Sequence, residues 1–231
     1  MALSSVIQEH NHIEVDEPCR QLPDCAGPGI TQRVEAGQTI VIEGDPVDHY
    51  FRILSGTVRL YKAVVDGRRQ IIDFLGPREC FGLIDLGHHA CSVEAITDLV
   101  MIRYPRQRLD SAIEDKPDLS LQLLRLASVE LSRAQQRMLL LGRKSAEERV
   151  ASFLLDLIER RRDPGQDMAC LHLAMSRQDI ADHLGLTIET VSRIFTRFKR
   201  AGLISLSDRH AVILNDIARL SMMASGSLVA D

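Results

Sequence analysis

The chain has 231 residues, 45% of them hydrophobic and 26% charged, with a formal net charge of −4. That supplies apolar material for two modest domains, and the absence of any run of about 18 apolar residues argues against a membrane-spanning helix. No basic flank followed by an apolar stretch opens the chain, so no secretory signal is expected and the chain reads as cytoplasmic.

The charge is unevenly spread. Residues 1–50 carry nine acidic and two basic side chains, whereas residues 171–210 carry six basic and four acidic ones. A basic segment on an acidic chain suits a protein that meets a polyanion with one part and does something else with the other.

Residues 1–30, with Pro18, Pro23, Pro28, Gly27 and Gly29, read as a loose arm. From Thr31 to about Arg103 short alternating runs are punctuated by glycine: Thr39–Ile42, Tyr50–Leu54, Thr57–Tyr61 and Gln70–Phe74. This spacing predicts an antiparallel β-barrel or sandwich over residues 31–114, with Asp66-Gly67 as a hairpin turn. The paired histidines His88 and His89 read as loop residues at the surface rather than metal ligands.

Residues 115–142 contain a long helix from about Pro117 to Leu141, with proline tolerated in its first turn. Leu124, Ala127, Leu131, Ala134, Met138 and Leu141 recur at spacings of 3-4-3-4-3, the seam of a coiled coil and a candidate homodimer interface. A second apolar face, Leu119, Leu123, Leu126 and Leu140, is expected to pack on the barrel. One buried helix in a monomer is the competing reading, but it leaves one of the two stripes exposed. Gly142 is expected to break the helix.

Residues 143–231 begin with Ser145-Ala146-Glu147-Glu148, a capping box. Val150, Phe153, Leu154, Leu157 and Ile158 point inward from the helix it starts, and Asp163-Pro164-Gly165 ends that helix. Next, Ser176 caps a short helix with Asp179 in its first turn. Ile180, Ala181 and Leu184 form its apolar side, and Gly185 suits a left-handed turn. Thr187 caps a second helix that buries Val191, Ile194, Phe195 and Phe198 and ends at Gly202. Leu203–Leu206 and Ala211–Leu214, joined by Ser207–His210, read as a two-stranded wing. This is a winged helix-turn-helix, so the fold class is α+β: an N-terminal antiparallel β-barrel or jelly roll, a long dimerisation helix and the winged C-terminal domain.

The second helix of such a motif enters the major groove of DNA and reads bases from its first two turns. Glu189, Ser192 and Arg193 share one face at i, i+3 and i+4. Arginine presents a fork to guanine, glutamate accepts from the cytosine amino group, and serine is adaptable. Arg197, Lys199 and Arg200 sit further along, where phosphates are nearer; Thr187 and Ser176, at the two helix starts, complete the candidate phosphate contacts. Paired catalytic carboxylates, a nucleophile elbow, a P-loop and H-E-x-x-H spacing are all missing, so the chain does not read as an enzyme.

This order of glycine-punctuated barrel, seam helix and winged helix resembles the Crp/Fnr family of bacterial transcription regulators over roughly residues 31–220. MSRQDIADHLGLTIETVSR (Met175–Arg193), GLIDLGHH (Gly82–His89) and LLLGRKSAEER (Leu139–Arg149) look like its FNR and FixK branch. The resemblance implies a barrel like those that bind cyclic nucleotides, half-sites of the type TTGAT in an inverted repeat read by Glu189, Ser192 and Arg193, and recruitment of RNA polymerase. The genes implied are those of low-oxygen respiration, denitrification and nitrogen fixation. Barrel loops such as Asp66–Arg69 and Asp85–Ala90 are candidates to touch polymerase, although no residue pattern singles them out.

The resemblance raises three kinds of control. Cyclic-nucleotide members hold phosphate with an Arg-Ser pair, and the corresponding His88–Ser92 has no arginine. Cluster-bearing members use four cysteines, whereas the arm here has only Cys19 and Cys25, and Cys80 and Cys91 lie elsewhere in the sequence. Those members also place an acid in the dimer helix where Ala134 stands. The expectation is therefore a homodimer that needs no cofactor and no metal. A redox- or ligand-responsive sensor is the alternative, and Cys170 is the candidate redox thiol, although its place in a strand-like run favours a buried, inert residue.

Overall fold

A computed structural model describes residues 29–64, 67–84, 87–160, 170–206 and 211–227. The chain divides into two compact units, one up to Ala134 and one from Gln135. The arm with Cys19 and Cys25, Asp66 of the hairpin turn, Asp85 and Leu86, the Asp163-Pro164-Gly165 stop and the wing tip Ser207–His210 lie outside the described residues.

The first unit is built on eight strands: β1 (Ile30–Val34), β2 (Thr39–Val41), β3 (His49–Ser55), β4 (Val58–Ala63), β5 (Arg69–Leu75), β6 (Cys80–Phe81), β7 (Ser92–Ala95) and β8 (Leu99–Pro105). They form two antiparallel sheets, ordered β1-β8-β3-β6 and β2-β7-β4-β5. Period-two alternation explains the layering. Phe51 and Ile53 of β3 join Val34, Val58, Val93, Leu99 and Met101 in the core between the sheets. Their neighbour Tyr50 points the other way and stacks on Tyr104, its cross-strand partner, with ring centroids 5.0 Å apart.

That outer face is covered by helices. α1 (Arg106–Asp115) follows β8 directly, a helix the hydrophobic pattern did not announce, because only Leu109 and Ala112 are buried along it. α2 (Pro117–Arg143) is the long helix. Its Leu119 is buried against Tyr50, Leu83, Tyr104 and Leu109, with Leu123 and Leu126 packed beside it; Leu140, the fourth residue of the expected stripe, is not part of this cluster. Gly142 does not break α2, which runs on to Arg143. A glycine costs a helix about 1 kcal/mol relative to alanine but does not end it. The stop comes at Ser145, whose amide donates to Glu148 Oε2 at 3.0 Å while Glu148's amide donates to Ser145 Oγ at 3.4 Å.

In the second unit this capping box opens α3 (Ala146–Arg160), which buries Val150, Ala151, Phe153, Leu154 and Leu157. β9 (Cys170–His172), α4 (Arg177–Leu184), α5 (Ile188–Arg200), β10 (Ile204–Leu206), β11 (Ala211–Leu214) and α6 (Ile217–Ala224) follow. The wing sheet has three strands, not two, in the order β10-β11-β9. The third strand, Cys170–His172, is the strand-like run that holds Cys170, and three residues alone do not announce which sheet they join. It pairs with β11 through Leu171 opposite Val212.

Candidate nucleic-acid interface

The interface starts from two capped helices. Ser176 Oγ accepts from the Asp179 amide at 3.1 Å, and the Asp179 carboxylate accepts from the Ser176 amide at 3.0 Å and from its hydroxyl at 2.7 Å. Asp179 is only 3% exposed, and its buried carboxylate takes two of its hydrogen bonds from the helix start it stabilises. Both polar groups of Ser176 are thereby committed to Asp179, which limits what that residue offers a phosphate.

α4 ends at Gly185, whose φ of 62° and ψ of 41° lie in the left-handed region. That conformation costs about 1–2 kcal/mol for a residue with a Cβ. Leu186, half-buried, returns its amide to Ala181 O at 3.0 Å. Thr187 then caps α5, accepting from the Thr190 amide at 3.3 Å.

The packing of α5 aims its polar side. Val191, Ile194, Phe195 and Phe198 are buried, each such side chain contributing about 1.5–3 kcal/mol. Glu189, Ser192, Arg193, Arg197, Lys199 and Arg200 are all exposed. At about 100° per residue, Glu189, Arg193, Thr196 and Arg200 form the centre of the outward stripe, with Ser192 and Lys199 on one flank and Arg197 on the other. The predicted base-reading triad is thus together on one solvent-facing surface. The Glu189 carboxyl is held below its usual pKa by its own backbone amide and the Thr187 hydroxyl, with Arg193 one turn on acting the same way.

Arg197 differs from its neighbours: it forms an ion pair with Glu147 in the first turn of α3. Arg177, which sequence reasoning passed over, lies with its guanidinium carbon 3.7 Å from the Phe195 ring centre. A basic residue at the first position of α4 and an aromatic one on α5 were the only available signals. Cys170 is exposed, not buried; on β9 it shares the outward face with His172 while Leu171 turns in.

On α2, Leu124, Leu131 and Met138 are 63%, 61% and 66% exposed. Ala134 is exposed as well, and Ala127 and Leu141 are half-buried. Leu141, at the end of the stripe, approaches the helix-turn-helix: a Cβ placed on Gly185 would stand 3.5 Å from Leu141 Cδ2.

Residues 148–223 match the Crp-like helix-turn-helix domain and residues 31–116 the cyclic nucleotide-binding domain. The nitrogen fixation regulation protein FixK of Rhizobium meliloti is 41% identical over 81% of this chain and 83% of its own length. The chain belongs to the Crp/Fnr family of transcription regulators. The transcriptional activator protein Anr of Pseudomonas aeruginosa is 39% identical over 84% of this chain and 80% of its own. The solved structure of FixK2 from Bradyrhizobium japonicum superposes with a TM-score of 0.80 at 35% identity, covering 85% of this chain and 97% of that one. This Crp/Fnr chain is accordingly a DNA-binding transcription regulator whose helix-turn-helix is the α4–α5 pair, and no helix among the described residues is long and apolar enough to cross a membrane.

The family's barrel raises the question of a cyclic nucleotide. Between β1, β2, β3 and β8 of the Crp/Fnr barrel lies a pocket of about 280 Å³ lined by Asp45, Asp48, His49, His89 and Arg103 among others. His89 is buried, not at the surface, because its amide and carbonyl are drawn into hydrogen bonds with Asp45 O at 2.9 Å and the Gly44 amide at 3.0 Å. Burial, and then the nearby Arg103, lower the pKa of His49, so that imidazole is neutral at pH 7. The stretch that corresponds to the phosphate-holding pair, His88–Ser92, presents a buried histidine and no arginine, so the residues present there do not fit a cyclic phosphate.

Proposed function

We propose that the chain acts as a homodimer, paired along Leu124, Ala127, Leu131, Ala134, Met138 and Leu141 of α2, and sets two α5 helices into major grooves one DNA turn apart, about 34 Å. Arg193 reads guanine, Glu189 accepts from cytosine and Ser192 assists. Lys199, Arg200, Arg197, Thr187 and Ser176 are the phosphate side of the same surface. The target is an inverted repeat of TTGAT-type half-sites, and the outcome is recruitment of RNA polymerase at genes for low-oxygen respiration or nitrogen fixation. The chain works in the cytoplasm, without catalysis.

One observation carries this reading: a helix buried along one side by Val191, Ile194, Phe195 and Phe198 holds an acid, a hydroxyl and a guanidinium exposed on the other. The exposed apolar stripe of α2 supports the pairing, and the relatives named for nitrogen fixation regulation and transcriptional activation support the gene class. The test is binding of purified protein, without additives, to a TTGAT inverted repeat and to a scrambled duplex. Tight binding to the first alone is expected; equal binding to both refutes the proposal.

Thiol control is a second reading, favoured by the exposure of Cys170 on the outer strand of the wing sheet. Peroxide treatment should then weaken DNA binding of the native chain but not of Cys170→Ser. Equal sensitivity of both removes this control.

A further inference from the structure

Arg149 of α3 spends its guanidinium on three backbone carbonyls from three different places. Nη2 donates to Leu141 O at 2.8 Å, Nε to Lys144 O at 3.0 Å and Nη1 to Leu184 O at 3.0 Å. Leu141 lies in the last turn of α2, Lys144 in the link between α2 and α3, and Leu184 is the last residue of α4. Carbonyls at helix C-termini lack intrahelical donors and carry partial negative charge, so a planar cation between two such ends answers both with directed bonds.

We infer that Arg149 is a positioning residue that locks the α2 terminus to the turn that aims α5, and so sets the separation at which two paired chains present their DNA-reading helices. Leu184 immediately precedes the left-handed Gly185, and the N-cap of α5, Thr187, stands two residues after that glycine. A second contact acts in the same place: Leu141 Cδ2 stands 3.5 Å, and Arg149 Nη1 3.6 Å, from where a Cβ on Gly185 would lie. Side chain and guanidinium thus grip one turn, and the gripped element is the end of the stripe proposed to join the two copies. A lysine retains the charge here but, as a single ammonium, cannot span three acceptors set in a fork.

This inference rests on the dimeric reading above, and the test separates the two. Full-length native protein, Arg149→Lys and Arg149→Gln are titrated against duplexes carrying the same two half-sites with the spacer unchanged, shortened by one base pair or lengthened by one. Circular dichroism establishes that each variant is folded. The native chain should prefer one spacer by about tenfold or more, since half-site spacing mirrors the dimer geometry. Both variants should keep their preference for TTGAT over scrambled half-sites while spacer preference falls to about threefold or less. Folded variants that retain the native spacer preference, whatever their absolute affinity, overturn the inference. Failure of both variants to fold assigns Arg149 to stability alone and overturns it equally. A native chain without spacer preference removes the dimeric reading, and this role with it, a result told apart by its appearance in the unsubstituted protein.

Discussion

Arg177 covers the face of Phe195, its guanidinium carbon 3.7 Å from the ring centre, and so joins the first helix of the helix-turn-helix to the second. Burial lowers the Arg177 pKa, yet an arginine keeps its charge. Attraction to the ring quadrupole is strengthened by partial removal from water. Arg177→Met keeps the aliphatic cover and loses the cation; it should destabilise the protein by about 0.5–2 kcal/mol in urea unfolding. Arg177→Ala should cost more, because it also uncovers the ring. Equal stability of native and Arg177→Met would deny the contact an energetic role.

Base reading and phosphate anchoring are expected to separate cleanly by mutation. Arg193→Ala should reduce discrimination at one guanine by about 1–3 kcal/mol, measured by anisotropy with single-base variants of the half-site. Lys199→Ala should weaken cognate and scrambled duplexes alike and lower the salt slope by about one. Equal losses on both duplexes for Arg193→Ala would reverse its assignment.

The α2 stripe is expected to fail when a charge enters it. Leu131, 61% exposed in the single chain, is central in the stripe proposed to pair two copies. Leu131→Glu should run as a monomer in size-exclusion chromatography and bind the full inverted repeat about 100-fold more weakly. Its single-chain fold should persist, because Leu131 is not among the buried core residues. A Leu131→Glu dimer of native affinity counts against the seam.

Glu189 predicts a pH profile. Its carboxyl is held below the usual carboxylate range, first by its own backbone amide and then by the Thr187 hydroxyl. The charged form is favoured in the folded chain and lost only as pH falls through the lowered value. Preference for the base pair read by Glu189 should therefore be flat from about pH 7.5 to about pH 5.5. Glu189→Gln should abolish that preference at every pH. A preference that falls tenfold by about pH 5.5 contradicts the shift.

The cysteines should react in a set order. Burial pushes the Cys80 thiol up to about 11, leaving almost no thiolate at neutral pH, whereas Cys170 is exposed. Native-state alkylation read by mass spectrometry should label Cys170 well before Cys80. Simultaneous labelling would mean that the barrel opens on the timescale of the reaction.

The helix-turn-helix was legible because its signals are local. A cap, an acid three residues later, a glycine at the turn and apolar spacings of 3, 1 and 3 each act within one or two turns. The second apolar stripe of α2 was legible along Leu119, Leu123 and Leu126 for the same reason, but not at Leu140, which is outside that cluster. Gly142 misled because helix propensity is weak beside the capping box that follows it. Cys170 misled because a three-residue strand gives no phase from which to tell its inward face from its outward one. His89 was placed at the surface for its polarity, while its position is set by backbone bonds to Gly44 and Asp45. The three acceptors of Arg149 come from residues 141, 144 and 184, a convergence that no periodicity encodes.

The passage of α2 through Gly142 makes it one continuous rod of 27 residues, about 40 Å long at 1.5 Å per residue. Such a rod has a phase as well as a length. Insertion of one residue between Leu124 and Leu131 would turn the later stripe positions by about 100° away from the earlier ones, so that they no longer share one face. A seven-residue insertion would nearly restore the angle while lengthening the helix by about 10 Å. Changes of length within this segment therefore keep the stripe on one face only in whole heptads.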